Sequence, residues 1–495
     1  MSIKILLTML FPFLLTTTSK KKDEVQITIS PEVINAGYIG NGAEWDPYDE
    51  AEAWGSSVSD KDWETLFKRL DFMKMRYVRC MINSPYRYYD SATGKYDKTR
   101  NIKSISKLLK YCTDNNITVI YGEYNPPTWD MKQDQKWVDM SVDYLNYLVN
   151  DLGFSCIKNF IIFNEPDGNW ASTNGNYKLW KDMLHRFSAK MKEYPGLSEK
   201  VKLAGPDVVV DYKNPVSAYD SEGWIKQSVT DVDSLIGLYD IHAYPGQAQV
   251  RRGEYADILA KYRQHIPKGK KIVLGEAGYK YWREPDSLLM AEYNRRVKGH
   301  PFTKGSDCNM LCYDYFYGLD MPLLNMEVMN NGYSGMAVWM LDDAMHSNGD
   351  SGKTDDVKIW GMWNILGKEV FNKPEEENIR PWFYTWSLMC RYFQTGTDIL
   401  KCSIVNSTKD IYTVAAQQNG KLVVVIVNVG DKSKNINISL PQPMKNADLY
   451  IYQESYMPKG ADGLPVPAKK GFNVGKNYSA TLKAQSFMLL TDMNK

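Results

Sequence analysis

A parallel (β/α)8 barrel followed by a smaller all-β sandwich is the fold predicted by this sequence of 495 residues. Three observations predict it. Eight strand-like apolar runs recur between about residue 37 and about residue 340, and helical segments lie between them. Beyond Trp382 the pattern changes to short β-rich runs separated by turn residues. Alternating strands and helices build a parallel sheet with helices outside, and eight such units close into a barrel. An open doubly wound sheet is the alternative. It usually brings a phosphate-cradling loop, and the sequence contains neither GxGxxG nor GxxxxGK[ST].

The chain starts MSIKILLTMLFPFLLTTTSKKKDE, with Lys4 ahead of an apolar run from Ile5 to Leu15. These 11 residues are too few for a bilayer span, which needs about 20. They fit the apolar stretch of a secretory signal, so residues 1–22 read as a signal peptide and the protein as exported: periplasmic, cell-surface or extracellular. Residues 23–390 read as the barrel, on the runs VINAGYIG, YVRCMI, ITVIYGE, FIIFNE, KLAGPDVV, YDIHAY, KIVLGE and GMAVWML. Between them, Asp60–Met73 places Trp63, Leu66, Phe67 and Leu70 on one helical face, and Trp137–Leu152 is a second helix. The segment WFYTWSLMCRYFQTG is a last helix ending at Gly396. Residues 391–495 read as the sandwich, with IYTVAAQ, LVVVIVNV, INISL and SFMLL as strands, and the strand near 25–30 is expected to join it. All 14 Trp lie between Trp45 and Trp386, so the sandwich reads as a structural partner of the barrel, not an aromatic sugar-binding module.

Composition excludes several functions. Hydrophobic residues at 43% and charged residues at 24% are ordinary for a globular chain. Lys and Arg number 60 against 59 acids, so there is no basic field to hold a nucleic acid. Aromatic residues reach 13%, which suits a surface that stacks on sugars. Seven widely spaced Cys include no CxxC pair, which excludes a zinc ribbon or thioredoxin motif. They read as buried free thiols, although Cys308 and Cys312 are close enough in sequence to bridge. Five His include no HxH or HExxH, so no metal is expected, and no GxSxG elbow marks an esterase. Asp342, Asp343 and Asp350 read as a solvated acidic loop in preference to a calcium site. No cofactor is called for, and no membrane span is expected.

In this architecture active sites gather at the C-terminal ends of the strands. Strand four ends FIIFNEP, with Asn164 and Glu165, and strand seven ends KIVLGEAG, with Glu276. By period-two alternation Glu165 continues the row of Ile161 and Phe163, and Glu276 that of Ile272 and Leu274, so both are expected over the barrel mouth. A carboxylate there is costly without a partner or a task. Two facing each other are the equipment for glycoside hydrolysis: one protonated to donate to the leaving oxygen, one ionised to attack the anomeric carbon.

These strand ends resemble those of clan A retaining glycoside hydrolases, which carry Asn-Glu after strand four and Glu after strand seven. The resemblance implies Glu165 as acid/base, Glu276 as nucleophile, and Asn164 as a hydrogen-bond partner of the sugar 2-OH. His242 and Tyr244 in DIHAYPG match the clan's H-x-Y: Tyr244 would hydrogen-bond the nucleophile and His242 line the subsite. Arg79 in YVRCM matches the strand-two Arg that keeps the nucleophile ionised, and Trp339 in AVWML the strand-eight Trp on which the sugar stacks. YNPPTWDM is similar to the SPPxWM segment of family 30 and implies Trp129 as a subsite wall. A barrel with a following sandwich is similar to families 30, 39 and 51, and the chain also resembles family 5. Strand eight, MAVWMLDDAMHSNGD, matches no one family. Each motif alone has a plain structural reading: a core histidine, a core Trp, a buried ion pair.

The expectation is an exported retaining glycosidase acting on a β-linked oligosaccharide or polysaccharide by double displacement. Its carboxyl separation should be about 5–5.5 Å, against about 6.5–9.5 Å for an inverting enzyme. The alternative is a non-catalytic glycan-binding protein on a glycosidase-like barrel. The long segment after Glu276 is a candidate lid.

Overall fold

The computed structural model describes residues 24–493, apart from 54, 282–286, 300–307, 347–356 and 406–408. The signal-peptide reading and Asp350 lie outside the described residues, as does part of the candidate lid. Eight parallel strands close into a barrel: Gly40–Glu44, Tyr77–Ile82, Thr118–Glu123, Ile157–Ile161, Lys202–Val209, Ile236–Ala243, Ile272–Ala277 and Gly335–Val338. A second, nine-stranded mixed sheet follows it. No helix among the described residues is long and apolar enough to cross a membrane.

The first barrel strand is not the run centred on residue 37. Glu24–Tyr38 is one long strand of the second sheet, antiparallel to Thr397–Val405 and parallel to Lys434–Ser439. Its burial alternates and then opens to solvent, whereas Gly40–Glu44 is buried throughout. That contrast separates a sheet with one wet face from a barrel strand covered on both sides.

Helix Asp60–Met73 forms as its pattern demands. Ser59 and Asp62 make a capping box at its start, and Trp63, Leu66, Leu70 and Met73 are buried. The barrel interior is filled by Tyr77, Met81, Ile120, Ile161, Ala204, Leu238, Val273 and Ala337. Ile272, Leu274 and Phe163 belong instead to the layer between strands and helices. This corrects the alternation argument: the row leading to Glu276 faces outward, and of Ile161 and Phe163 only Ile161 faces inward.

Helix Tyr317–Asn330, in the long segment after Glu276, is buried almost throughout and joins the two sheets. Beside its start Tyr315 stacks on Tyr452 of the second sheet at 4.5 Å, and the Tyr452 hydroxyl donates to the Tyr315 carbonyl at 2.7 Å. This part of the candidate lid is core: it is buried on every face, with Asp320 paired to Arg251 and Asn325 hydrogen-bonded to Asn41. Asp342 and Asp343 are also buried, not solvated: Asp342 accepts from Tyr48, Trp363 and two backbone N–H groups, and Asp343 pairs with Arg380. All seven cysteines are free thiols, six of them buried.

Candidate active site

Arg79 follows Tyr77 on the inward face of strand two and is fully buried. Its Nη1 donates to Glu44 Oε2 and to Glu276 Oε1, each at 2.6 Å. Its Nη2 donates to Asn164 Oδ1 at 2.6 Å and to Asp207 Oδ2 at 3.1 Å. One planar fork therefore gathers side chains from strands one, five and seven and from the turn after strand four, a geometry that lysine cannot reproduce.

Glu276 reaches the mouth through an irregularity. The register of strand seven against strand six shifts between Leu274 and Glu276, which turns an outward row inward. Gly275 makes room: a Cβ there would meet the Asp240 carboxylate at 2.3 Å. Glu165 lies beyond the end of strand four and holds φ at +45°, in the left-handed region. Strain of this kind persists where the surroundings fix a side chain for a task.

His242 joins the two acids. Its Nδ1 lies 2.8 Å from Glu165 Oε1 and 3.5 Å from Glu276 Oε2, and its Nε2 lies 3.0 Å from Asp207 Oδ1. One oxygen of Glu165 and one of Glu276 lie within 4.8 Å of each other. Burial alone would push the imidazole pKa down, but the charges of Asp207 and Glu276 outweigh it and hold it well above its ordinary value. Burial pushes the Glu165 carboxyl up, and the hydrogen bond and charge of His242, with Lys280 and the Trp170 indole, outweigh it and leave the group below its ordinary value. Asp207 is held at about 2, since the charges of His242 and Arg79 exceed its burial cost. Glu165, His242 and Glu276 cluster closely enough to hold a metal ion, and an imidazole protonated at both nitrogens would have no lone pair to offer it.

The remaining sequence candidates divide. The Tyr244 hydroxyl donates to Glu276 Oε2 at 2.6 Å, so Arg79 and Tyr244 hold the two oxygens of Glu276 between them. Trp339 is 8% exposed and lies against His346, ring centres 5.0 Å apart. It connects to Arg79 indirectly: His346 Nε2 lies 3.3 Å from the Tyr124 hydroxyl, which donates to Glu44 Oε1 at 2.9 Å and to Asp46 Oδ2 at 2.6 Å. Trp129 is 53% exposed, and among the described residues no hydrogen bond or ring contact ties it to the carboxylates.

Sequence reasoning reads the stretch Glu44–Tyr48 and Trp170 only as loops on which sugar and linkage depend, and it misses Asp207 and Asp240. Glu44 and Asp207 were visible as acids at the ends of apolar strands, GAEWD and KLAGPDVV, but carry no tripeptide signature. Asp240 was visible two residues before His242. Its buried carboxyl has no hydrogen-bonding side chain beside it and is pushed up to about 8 by burial and by the Asp207 charge.

The barrel and following sheet together are the architecture of clan A glycoside hydrolases. A family 30 endoxylanase from Clostridium papyrosolvens C71 superposes with a TM-score of 0.59, over 94% of this chain and 99% of its own, at 13% identity. A family 39 β-xylosidase from Caulobacter crescentus gives 0.58 over 94% and 99%, at 10% identity. A family 51 α-L-arabinofuranosidase from Bifidobacterium longum gives 0.61 over 95% and 99%, at 12% identity. At such identities the likeness is one of fold, and it spans three families without selecting one. No family profile and no curated protein sequence matches the chain.

Proposed function

We propose that this protein is a retaining glycoside hydrolase that cleaves β-linked glycans by double displacement. The observation that carries the reading is the approach of Glu165 and Glu276 to within 4.8 Å, both against His242 Nδ1. That spacing is on the retaining side, because an inverting pair needs room for a water at about 6.5–9.5 Å.

Glu276 is the nucleophile. Two hydrogen bonds fix both its oxygens, one of them from the buried Arg79 guanidinium. An oxygen of Glu276 bonds to the anomeric carbon as the bond to the leaving oxygen breaks, and that oxygen takes a proton from Glu165. Before substrate binds, this proton is held within the His242–Glu165 pair, joined by a 2.8 Å hydrogen bond. The negative charge of Glu276 keeps a proton in the His242–Glu165 pair. Formation of the glycosyl ester removes that charge, so Glu165 is left as the base that takes a proton from water in the second step. The Asn164 oxygen is held by Arg79, which leaves its amide N–H groups for a sugar hydroxyl. Trp339 forms the stacking wall for the sugar ring and Trp129 an outer wall. The apolar run at residues 5–15 supports export.

The test is turnover of aryl β-glycosides and a polysaccharide panel, with NMR of the first-formed anomer. Net retention and loss of turnover in Glu276→Gln are expected. A Glu276→Gln variant of near wild-type rate removes the nucleophile assignment, and glycan binding without turnover on any sugar points to a binding protein.

A further inference from the structure

Resting on the assignment of Glu165 as acid/base, we propose that Trp170 both aims this carboxyl at the leaving group and forms the platform that receives the leaving-group sugar. The two Glu165 oxygens differ. Oε1 accepts from His242, which is fully buried and also lies against Glu276. Oε2 accepts from the Trp170 indole N–H at 2.5 Å, and Trp170 is 43% exposed. The nucleophile and barrel axis therefore lie on the Oε1 side, and the open side is that of Oε2. A leaving-group oxygen must come to the open side, which seats its sugar against the indole.

The indole is placed by its surroundings. Gly168 lies beneath it, and a Cβ there would meet the ring at 2.4 Å. Tyr212 packs beside it, ring centres 4.8 Å apart and planes 56° apart. The loop between Glu165 and Trp170 is pinned in turn. Gly168 N–H donates to the Glu165 carbonyl at 2.8 Å, and the Asp167 carboxylate accepts from Val209 N–H at 3.2 Å. An exposed aromatic ring held this firmly suits the C–H face of a pyranose, since it loses little freedom on binding. The ligand class on this side is thus a sugar ring, in preference to an alkyl or lipid aglycone.

Three variants separate the two roles: Trp170→Phe keeps a ring and loses the N–H, Trp170→Ala loses both, and Gly168→Ala displaces the indole without changing it. Rates are compared for 2,4-dinitrophenyl glycosides, which leave without a proton, phenyl glycosides, which need one, and an oligosaccharide of the same sugar. All three variants should lose about tenfold in kcat/KM on the phenyl substrate with little change on the dinitrophenyl one. Trp170→Ala and Gly168→Ala should raise KM severalfold on the oligosaccharide, and Trp170→Phe should not. An unchanged dependence on leaving group in Trp170→Phe overturns the aiming role. An unchanged oligosaccharide KM in Trp170→Ala overturns the platform. Glu165→Ala with azide checks the underlying assignment separately: rescue yielding the β-glycosyl azide upholds it, and full activity without azide removes it whatever Trp170 does.

Discussion

Asp207 Oδ1 accepts from His242 Nε2 at 3.0 Å, on the edge of the ring opposite Glu165. Asp207 also accepts from Arg79 and from the backbone N–H of Glu165. It is therefore the fixed anion that keeps a proton available beside Glu165. His242 is held above its ordinary 6.5, so its contribution to stability is full below that pH and is lost as pH rises through the folded value. Asp207 is held at about 2 against 3.8, so its contribution is full above 3.8 and is lost as pH falls through about 2. Asp207→Asn should flatten melting temperature against pH in both ranges and move the alkaline limb of kcat/KM downward. An unmoved alkaline limb would show that Asp207 does not govern the His242–Glu165 proton.

Tyr244→Phe removes one of the two donors to Glu276 and leaves the ring in place. A hydrogen bond to a charged group contributes about 1.5–3 kcal/mol, so kcat should fall about 10- to 100-fold. Melting temperature should hardly change. Wild-type kcat in this variant would remove Tyr244 from the mechanism.

Arg79→Lys should be among the most damaging single changes to the barrel. It cannot span Glu44, Asp207, Glu276 and Asn164 together, and stranding the buried carboxyl groups of Asp207 and Glu276 should cost about 3–5 kcal/mol, read by urea unfolding. A loss below about 1 kcal/mol would mean that these carboxylates are not charged together.

Glu44 behaves oppositely. Burial, opposed by Arg79, pushes its carboxyl well above the ordinary 4.5. A raised carboxyl costs stability as pH climbs above its ordinary value, and burial favours its protonated form. Glu44→Gln mimics that form: its oxygen can accept from Arg79 and its amide can donate to Tyr124. At pH 7 the variant should stay within about 1 kcal/mol of wild type, and its stability should fall less between pH 5 and 8. A loss of several kcal/mol would show that Glu44 is ionised.

What the sequence determined by itself was the architecture and several of the residues that meet at the barrel mouth. Apolar runs at regular intervals must be buried, and eight of them alternating with helices leave few ways to do it, so the barrel followed from composition and spacing alone. Glu165, Glu276, Arg79, His242 and Tyr244 were legible because each stands in a short strand-end signature. Tertiary structure decided how they meet. Strand alternation misplaced both acids, since Glu276 turns inward at a register shift beside Gly275 and Glu165 lies past its strand in a left-handed conformation. Glu44 and Asp207 joined the site only because strands one and five close around Arg79, and Trp170 only because a loop folds its indole back over Gly168. A pattern of two or 3.6 residues reports which face of an element is buried, but partners drawn from distant strands are set by closure of the sheet, which no local pattern encodes.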